Sequence, residues 1–452
     1  MRSASGPHVL IIVQNLPVPL DRRVWLECQA LVAAGYQVSV ICPKGPGDQT
    51  FEEIGRVRIY KYRPAPPASG LVGYLWEFCY CWLRTAWLAR HIWRDKPFDV
   101  LQACNPPDTY WVLALLYRAP FRRGRTAKFV YDQHDLNPEV FRSRFGEPTG
   151  LVSRMQLRIL YWLERCTYRV ADHVIASNRS YRNIAINRGG RRPESVSVVR
   201  SGPDTRRMRP VHGLPELRRG SSYLLVYLGV MGPQDGVDMA LRALRVLVTE
   251  HRRTDIHLAL LGFGDCYQEL VRLAAELSIE QYVTFTGRAD ARMITEYLST
   301  AVVGLSPDPL NPLNDVSTMN KTMEYLSFAL PVVTFDLTEA RVSAGDAAVY
   351  VAPSGTRDDA IRRFAEAIIE LIDDPDRRMR MAVAGRRRAE SVLDWQPQRQ
   401  EYVAVYDRLL NFTSIPISVL QVNSADGTDE WGHHVVNLAD PAEFRAFARE
   451  RS

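Results

Sequence analysis

Short apolar runs alternate with amphipathic stretches along most of this chain. Val9–Val13 is a continuous apolar run, the pattern of a strand buried on both faces. Arg22–Ala34 then carries helical periodicity, with Asp21 before it as a cap and Gly35 as its stop. Gln37–Cys42 is the next strand, and a strand–helix–strand unit of this length implies parallel pairing with a crossover helix. Strands follow at 98–104, 128–132, 173–176 and 195–200, with helices at 109–117 and 152–169 between them.

The stretch 201–220 is rich in Pro, Gly and Arg and has no periodicity, so it reads as a linker. Alternation then restarts. Strands are expected at 223–228, 256–261, 283–285, 302–305 and 331–335. Helices are expected at 236–251, 266–277, 291–299, from Lys321 onward, and at 360–372. The fold class is α/β with two doubly wound, Rossmann-like domains, which place ligands at the carboxyl ends of the strands in a cleft where they face each other. The expected division is 1–204, a linker 205–220, 221–394, a helix 395–412 crossing back to the first domain, and a tail 413–452. In the tail, 415–422 alternates like a strand and 440–451 like an amphipathic helix.

The 452 residues exceed one ordinary core, in line with two domains. A net charge of +6 suits an anionic substrate or membrane surface, and no lysine run interleaved with aromatics marks a nucleic-acid binder. The seven cysteines include no CxxC pair, which fits a reducing cytoplasm. His8–Val13 is too short for a leader's apolar segment, and no apolar run has membrane-spanning length.

The richest chemistry lies in Asn314-Asp-Val-Ser-Thr-Met-Asn-Lys-Thr-Met-Glu-Tyr325. Lys321 and Glu324 share one face at a helix start, where backbone N–H groups favour an anion. A lysine there suits a phosphate, and a glutamate one turn on can accept from a ribose diol. Arg22 and Arg23 stand in the first turn of a helix, against its dipole, which suggests an anionic partner such as an acceptor phosphate. Asp373-Asp-Pro-Asp376 spells an acidic metal motif but reads as a helix stop and a new cap. No His/Cys cluster has zinc spacing, so no metal and no cofactor are expected.

In order and spacing, several segments together resemble the retaining, nucleotide-sugar-dependent glycosyltransferases of family 4. They are Pro19-Leu-Asp-Arg-Arg-Val-Trp-Leu-Glu27, Tyr131-Asp-Gln-His-Asp135, Val199-Arg-Ser-Gly-Pro-Asp204, Leu228-Gly-Val-Met-Gly232, Gly262-Phe-Gly264 and the Lys321 segment. The resemblance spans about His8 to Leu410 and implies the GT-B fold, with donor bound on the second domain and acceptor mainly on the first. It assigns His134 to the donor sugar and reaction centre; Asp135 is placed to orient it and Lys321 to meet the leaving diphosphate, and these three are the expected catalytic set. Glu324 matches the family's ribose-binding glutamate. Asn320, Asp315, Ser317, Thr318, Gly229, Gly232, Gly262, Gly264 and Arg288 complete the expected donor site, and Arg22, Arg23 and Asp108 the acceptor site.

Two departures from the family stand out. The family's first glutamate, eight residues before Glu324, is Val316 here, with Asp315 and Asn314 next to it. The cations that usually follow the first strand of the second domain are missing from Gly229-Val-Met-Gly-Pro-Gln-Asp-Gly236, which leaves Lys321 to supply the charge. The implied reaction is retaining transfer of a hexosyl or N-acetylhexosaminyl group from a UDP-type nucleotide sugar to an acceptor hydroxyl, in cell-envelope polysaccharide or glycolipid assembly. A soluble transferase of secondary metabolism, an epimerase on the same fold, and a non-catalytic nucleotide-sugar-binding subunit are the alternatives. Residues 71–94, with four tryptophans and Arg84, Arg90 and Arg94, fit either a peripheral membrane contact or a core helix. The expected location is the cytoplasm, at the inner face of the plasma membrane if the acceptor is lipid-linked.

Overall fold

The computed structural model describes residues 6–66, 70–118, 126–416, 427–438 and 440–451. These group into two compact units, one within Met1–Ser201 and Gln396–Val419, the other within Gly202–Trp395 and Leu420–Ser452.

The first unit holds eight strands: β1 (His8–Ile12), β2 (Gln37–Pro43), β3 (Phe51–Ile54), β4 (Val57–Tyr62), β5 (Val100–Cys104), β6 (Lys128–Gln133), β7 (His173–Ala176) and β8 (Val196–Val198). They lie in the order β3-β4-β2-β1-β5-β6-β7-β8, and all pairings are parallel except the β3–β4 hairpin. Its helices are α1 (Arg22–Ala33), α2 (Gly70–Asp95), α3 (Trp111–Arg118), α4 (Asn137–Phe145), α5 (Leu151–Val170) and α6 (Arg179–Asn187). Asp21 caps α1, its side chain accepting from the Val24 N–H. The expected strands and helices here form, with ends shifted by a few residues. The β3–β4 hairpin was not expected, because its exposed edge strand Phe51–Ile54 alternates over only four residues.

The second unit holds β9 (Tyr223–Val230), β10 (Ile256–Phe263), β11 (Val283–Gly287), β12 (Val303–Ser306), β13 (Val332–Phe335) and β14 (Ala348–Val351). All are parallel, in the order β11-β10-β9-β12-β13-β14. Its helices are α7 (Val237–Thr249), α8 (Tyr267–Glu276), α9 (Ala291–Thr300), α10 (Asn320–Ser327), α11 (Thr338–Ala344), α12 (Arg357–Asp373) and α13 (Pro375–Arg388). Counted from β9, the order is 3-2-1-4-5-6, which opens a crevice at the carboxyl ends of β9 and β12. Asp373 ends α12, and Asp374 caps α13 by accepting from the Arg377 N–H. The acidic motif is thus a helix junction, as its spacing suggests.

Residues 202–220 travel with the second unit rather than lying apart from it. Arg386, nearly buried, donates to the carbonyls of Thr205 and Met208. Helix α14 (Trp395–Leu410) belongs to the first unit from Gln396 onward. The hydroxyls of its Tyr402 and Tyr406 both donate to Gln102 Oε1 on β5. Of the expected strand 415–422, residues 417–422 lie outside the described residues. The expected terminal helix forms as α15 (Pro441–Glu450) on the second unit. Phe444 and Phe447 pack there with Ala329, Ala382 and Val436. Arg451, buried, donates to the carbonyls of Leu298, Ser299, Phe328 and Ala329 at the ends of α9 and α10. A guanidinium satisfies such terminal carbonyls well, and this fixes the tail to the unit.

Candidate active site

In the second unit, the crevice residues come from the ends of β9 and β12 and the start of α10. Lys321 Nζ donates to Asp308 Oδ1 at 2.6 Å, and both side chains are almost fully buried. Asp308 follows β12 and accepts at its other oxygen from Ser306 Oγ, 2.6 Å away. The ammonium lies over the Tyr227 ring, 5.0 Å from its centre. Gly229 permits this approach: a Cβ there would stand 3.3 Å from Lys321 Cε and 3.2 Å from the Tyr227 hydroxyl. Glu324 lies one turn after Lys321 and is 8% exposed. Helix α10 begins after Met319, which offers no side-chain acceptor to the first N–H groups. Such a terminus suits an anion.

Other expected donor residues take structural duties. Asp315 accepts from the N–H and hydroxyl of Thr338 at 2.8 and 3.1 Å, so its carboxylate holds the start of α11. Neighbouring Asn314, 2% exposed, ties the carbonyls of Gln234 and Pro309 together, so it too is committed. Ser317 Oγ donates to Leu313 O, and Thr318 Oγ1 to Glu339. The Gly232 N–H donates to Asp235 Oδ2 at 2.8 Å, which spends it on a turn rather than a phosphate. Gly262 lets two strand ends meet, since a Cβ there would fall 1.8 Å from Gly229 O, and Gly264 abuts the Met231 backbone. Arg288 is exposed and lies over the Phe263 ring. Asn320 is the exposed first residue of α10.

In the first unit, His134 follows β6 at the carboxyl edge of the sheet. Its Nε2 lies 2.6 Å from Asp132 Oδ2. The orienting carboxylate is therefore Asp132, and not Asp135 as expected. Asp132 lies on β6 itself, two residues before His134, and its carboxylate reaches the ring at the strand's end. Asn105 sets the backbone beneath, its Oδ1 accepting from the N–H groups of His134 and Asp135 and its Nδ2 donating to Asp135 O.

Arg23 overturns another expectation. It is 9% exposed and does not face an acceptor. It reaches Asp132 at 2.7 Å and donates to Val199 O and Ser201 Oγ, both at 2.9 Å. The anionic partner implied by its unfavourable helix position is inside the protein. Arg22, beside it, is exposed. Burial alone would lift the Asp132 carboxyl, but the charges and hydrogen bonds of Arg23 and His134 hold it well below the usual range. Burial pulls His134 down, and Asp132 outweighs it, so the imidazole is pushed above its ordinary value of 6.5. Glu27 lies 3.1 Å from Arg23, yet burial and the Asp132 charge push its carboxyl up. The guanidinium's ion pair is thus with Asp132. Cys104, Asp132 and His134 have metal-ligand spacing, but Arg23 already supplies the cation at this carboxylate.

Asp108, expected at the acceptor site, is engaged inside the first unit. It is 3% exposed and accepts from Tyr131 Oη at 2.7 Å and Asn137 Nδ2 at 2.5 Å, so it joins β6 to α4. Burial lifts its carboxyl from 3.8 to about 6. The folded state therefore holds this proton more tightly than the unfolded chain. Its contribution is fully present below about pH 4 and is lost as pH rises through about 6. Asp108→Asn should flatten the slope of Tm against pH in that window by the equivalent of about 3 kcal/mol. An unchanged slope would refute the assignment.

Asp132, Arg23 as an internal cation, Asn105 and Asp308 were not read as site residues. One signal was available for Asp132, since a carboxylate directly after the apolar strand run Phe129–Tyr131 needs a buried cation.

Residues 20–202 match the model of the glycosyl transferase 4-like domain, and residues 222–374 that of the glycosyl transferases group 1. Over 402 residues, 86% of this chain and 90% of the relative, the sequence is 28% identical to a glycogen synthase of Mycobacterium tuberculosis. It is 30% identical, over 45% of this chain and 52% of the relative, to a GDP-mannose-dependent alpha-(1-6)-phosphatidylinositol monomannoside mannosyltransferase of Mycolicibacterium smegmatis. The fold is similar to that of sucrose-phosphate synthase from Thermosynechococcus elongatus, with a TM-score of 0.69 at 16% identity, covering 90% of this chain and all of that one. With both units matched and the parallel-sheet architecture of each in place, the chain belongs to the GT-B glycosyltransferases of the family 4-like and group 1 type.

Proposed function

We propose that the protein transfers a hexosyl or N-acetylhexosaminyl group, with retention of configuration, from a nucleoside diphosphate sugar to the hydroxyl of a lipid-linked acceptor in envelope glycan assembly. The observation that carries the donor assignment is Lys321, fixed by Asp308 at the start of α10, with Glu324 one turn on. Lys321 and the helix terminus hold the diphosphate, and Glu324 accepts from the ribose hydroxyls. The GDP-mannose dependence of one relative supports a nucleotide-sugar donor. Three acidic side chains here are already committed: Asp308 pairs with Lys321, Asp315 holds Thr338, and Glu324 serves the ribose. The favoured path is front-side substitution. The bond from the anomeric carbon to the diphosphate breaks, the acceptor oxygen takes its place on the same face, and its proton passes to the departing diphosphate. His134 bears on the sugar, held at Nε2 by Asp132. Positioning and charge stabilisation supply the rate, with protein groups rather than a metal balancing the diphosphate.

The membrane part rests on the first unit's surface. Leu151, Val152, Met155, Ile159 and Trp162 are exposed along one strip of α5, and Arg154, Arg158, Arg165 and Arg169 form the strip beside it at 100° per residue. Trp162 meets Trp111 of α3 edge-on, where Val112, Leu115 and Leu116 are also exposed. An apolar strip flanked by arginines suits an anionic lipid interface. In α2, Cys81, Thr85, Leu88, Ala89 and Ile92 face inward while Trp76, Phe78, Leu83 and Trp87 stay exposed, so the expected contact segment, from Trp76 onward, has one buried and one open face. No helix among the described residues is long and apolar enough to cross a membrane.

Two measurements test this. A thermal-shift screen of nucleotide sugars should find one that raises stability by about 2.7 kcal/mol at 100 times its Kd. That donor should yield free nucleoside diphosphate, and binding without turnover would make the protein a non-catalytic subunit. The chain should also cosediment with phosphatidylglycerol vesicles but not with phosphatidylcholine ones. Arg154→Gln with Arg158→Gln should weaken this about 30-fold, at about 1 kcal/mol per arginine. Equal binding to both vesicle types would overturn the membrane part.

A further inference from the structure

The tail carries a side-chain cluster that shares no residue with the Lys321 crevice. Val211 bridges Val435 in an antiparallel pair, so His212 and His434 become cross-strand neighbours. Their rings lie 5.6 Å apart, centre to centre. Helix α15 adds two carboxylates. Glu443 Oε1 is 3.0 Å from His434 Nε2, and Glu450 Oε1 is 2.8 Å from His212 Nδ1. One ligand atom each from His212, His434 and Glu443 fall within 4.8 Å of one another.

We propose that His212, His434 and Glu443 bind a divalent transition metal of the zinc class, which clips the C-terminal helix to the second unit. Two imidazoles and a carboxylate are a zinc-type donor set, with a fourth position left for water. Tetrahedral zinc with bonds of about 2.1 Å sets its ligand atoms about 3.4 Å apart, so the three atoms, here within 4.8 Å of one another, need only draw together on the ion. Glu450 holds His212 through Nδ1 and leaves Nε2 for the metal, as carboxylates behind metal-bound imidazoles do. The frame exists without the ion, because Arg451 and the apolar packing of Phe444 and Phe447 already seat the helix. The site shares no residue with the Lys321 crevice, and the metal takes no part in the transfer. Histidines from residues 212 and 434 have no motif spacing, which is why the sequence holds no sign of it.

The test is titration of the full, chelator-stripped chain with zinc sulfate by calorimetry, with Tm followed in parallel. One zinc per chain at micromolar affinity and a raised Tm are expected. His212→Ala with His434→Ala should weaken binding at least 10-fold and abolish the Tm rise, while metal-free Tm stays close to wild type and shows the variant folded. If that variant unfolds, Glu443→Gln serves as the second probe, with the same loss expected. No stoichiometric binding by the wild-type chain, or undiminished binding by the folded variants, overturns the proposal.

Discussion

Replacing Lys321 by methionine is expected to lower turnover about 100-fold or more, the order seen when a preorganised charge is taken from a developing anion. The turn 229–236 at the end of β9 holds no arginine or lysine to share the load. The substitution also strands a carboxylate. Asp308 is 1% exposed and would keep only the Ser306 hydroxyl. Removing one partner of a buried pair costs about 3–5 kcal/mol, a fall in Tm on the order of 10 °C for a unit of this size. The two effects can be separated. Lys321→Met with Asp308→Asn removes both charges and should recover most of the Tm while turnover stays low. Near-normal turnover in that double variant would remove Lys321 from the diphosphate role. Recovery of turnover together with Tm would mean that Lys321 matters only for folding.

Asp132→Asn should have the next largest effect. Asp132 is the counter-charge for Arg23 and the hydrogen-bond partner of His134 at once. The loss of a buried carboxylate beneath a guanidinium again costs about 3–5 kcal/mol. Glu27 softens it, because once the Asp132 charge is gone its carboxyl can ionise against Arg23, 3.1 Å away. Asp132→Asn with Glu27→Gln should therefore lose more stability than the sum of the single changes. The imidazole reports the second role. Asp132 raises the His134 pKa, so its stabilisation is complete below the unfolded value of about 6.5 and is lost as pH rises through the higher folded value. In Asp132→Asn, NMR titration should show His134 moving to lower pH, and kcat should fall about 100-fold as the ring loses its fixed orientation. An unmoved titration would show that the short His134–Asp132 distance carries no charge coupling.

The periodicity of this chain is enough to place most strands and helices, because apolar runs of five and amphipathic stretches of twelve each have one stable use in a parallel sheet with helices on its faces. Strands β3 and β14 escaped because short, half-exposed strands carry little pattern, and β4, mostly buried, escaped with its hairpin partner. At the site, the pairing of Lys321 with Glu324 was readable because helical spacing is local. The partners of both key groups were not. Asp308 is 13 residues from Lys321, and Asp132 is 109 from Arg23. Only the order of strands brings them together. The same holds for Asp315 and Asp108, whose carboxylates look available in the sequence and are spent on Thr338, Tyr131 and Asn137.

The sequence by itself determined the two parallel α/β units and the residue types offered to a nucleotide sugar. Both follow from local spacing, which backbone geometry turns directly into faces of helices and strands. The tertiary structure alone decided which charges are free to meet a ligand. A buried ion must be paired, and the partner it finds depends on which strand ends lie side by side.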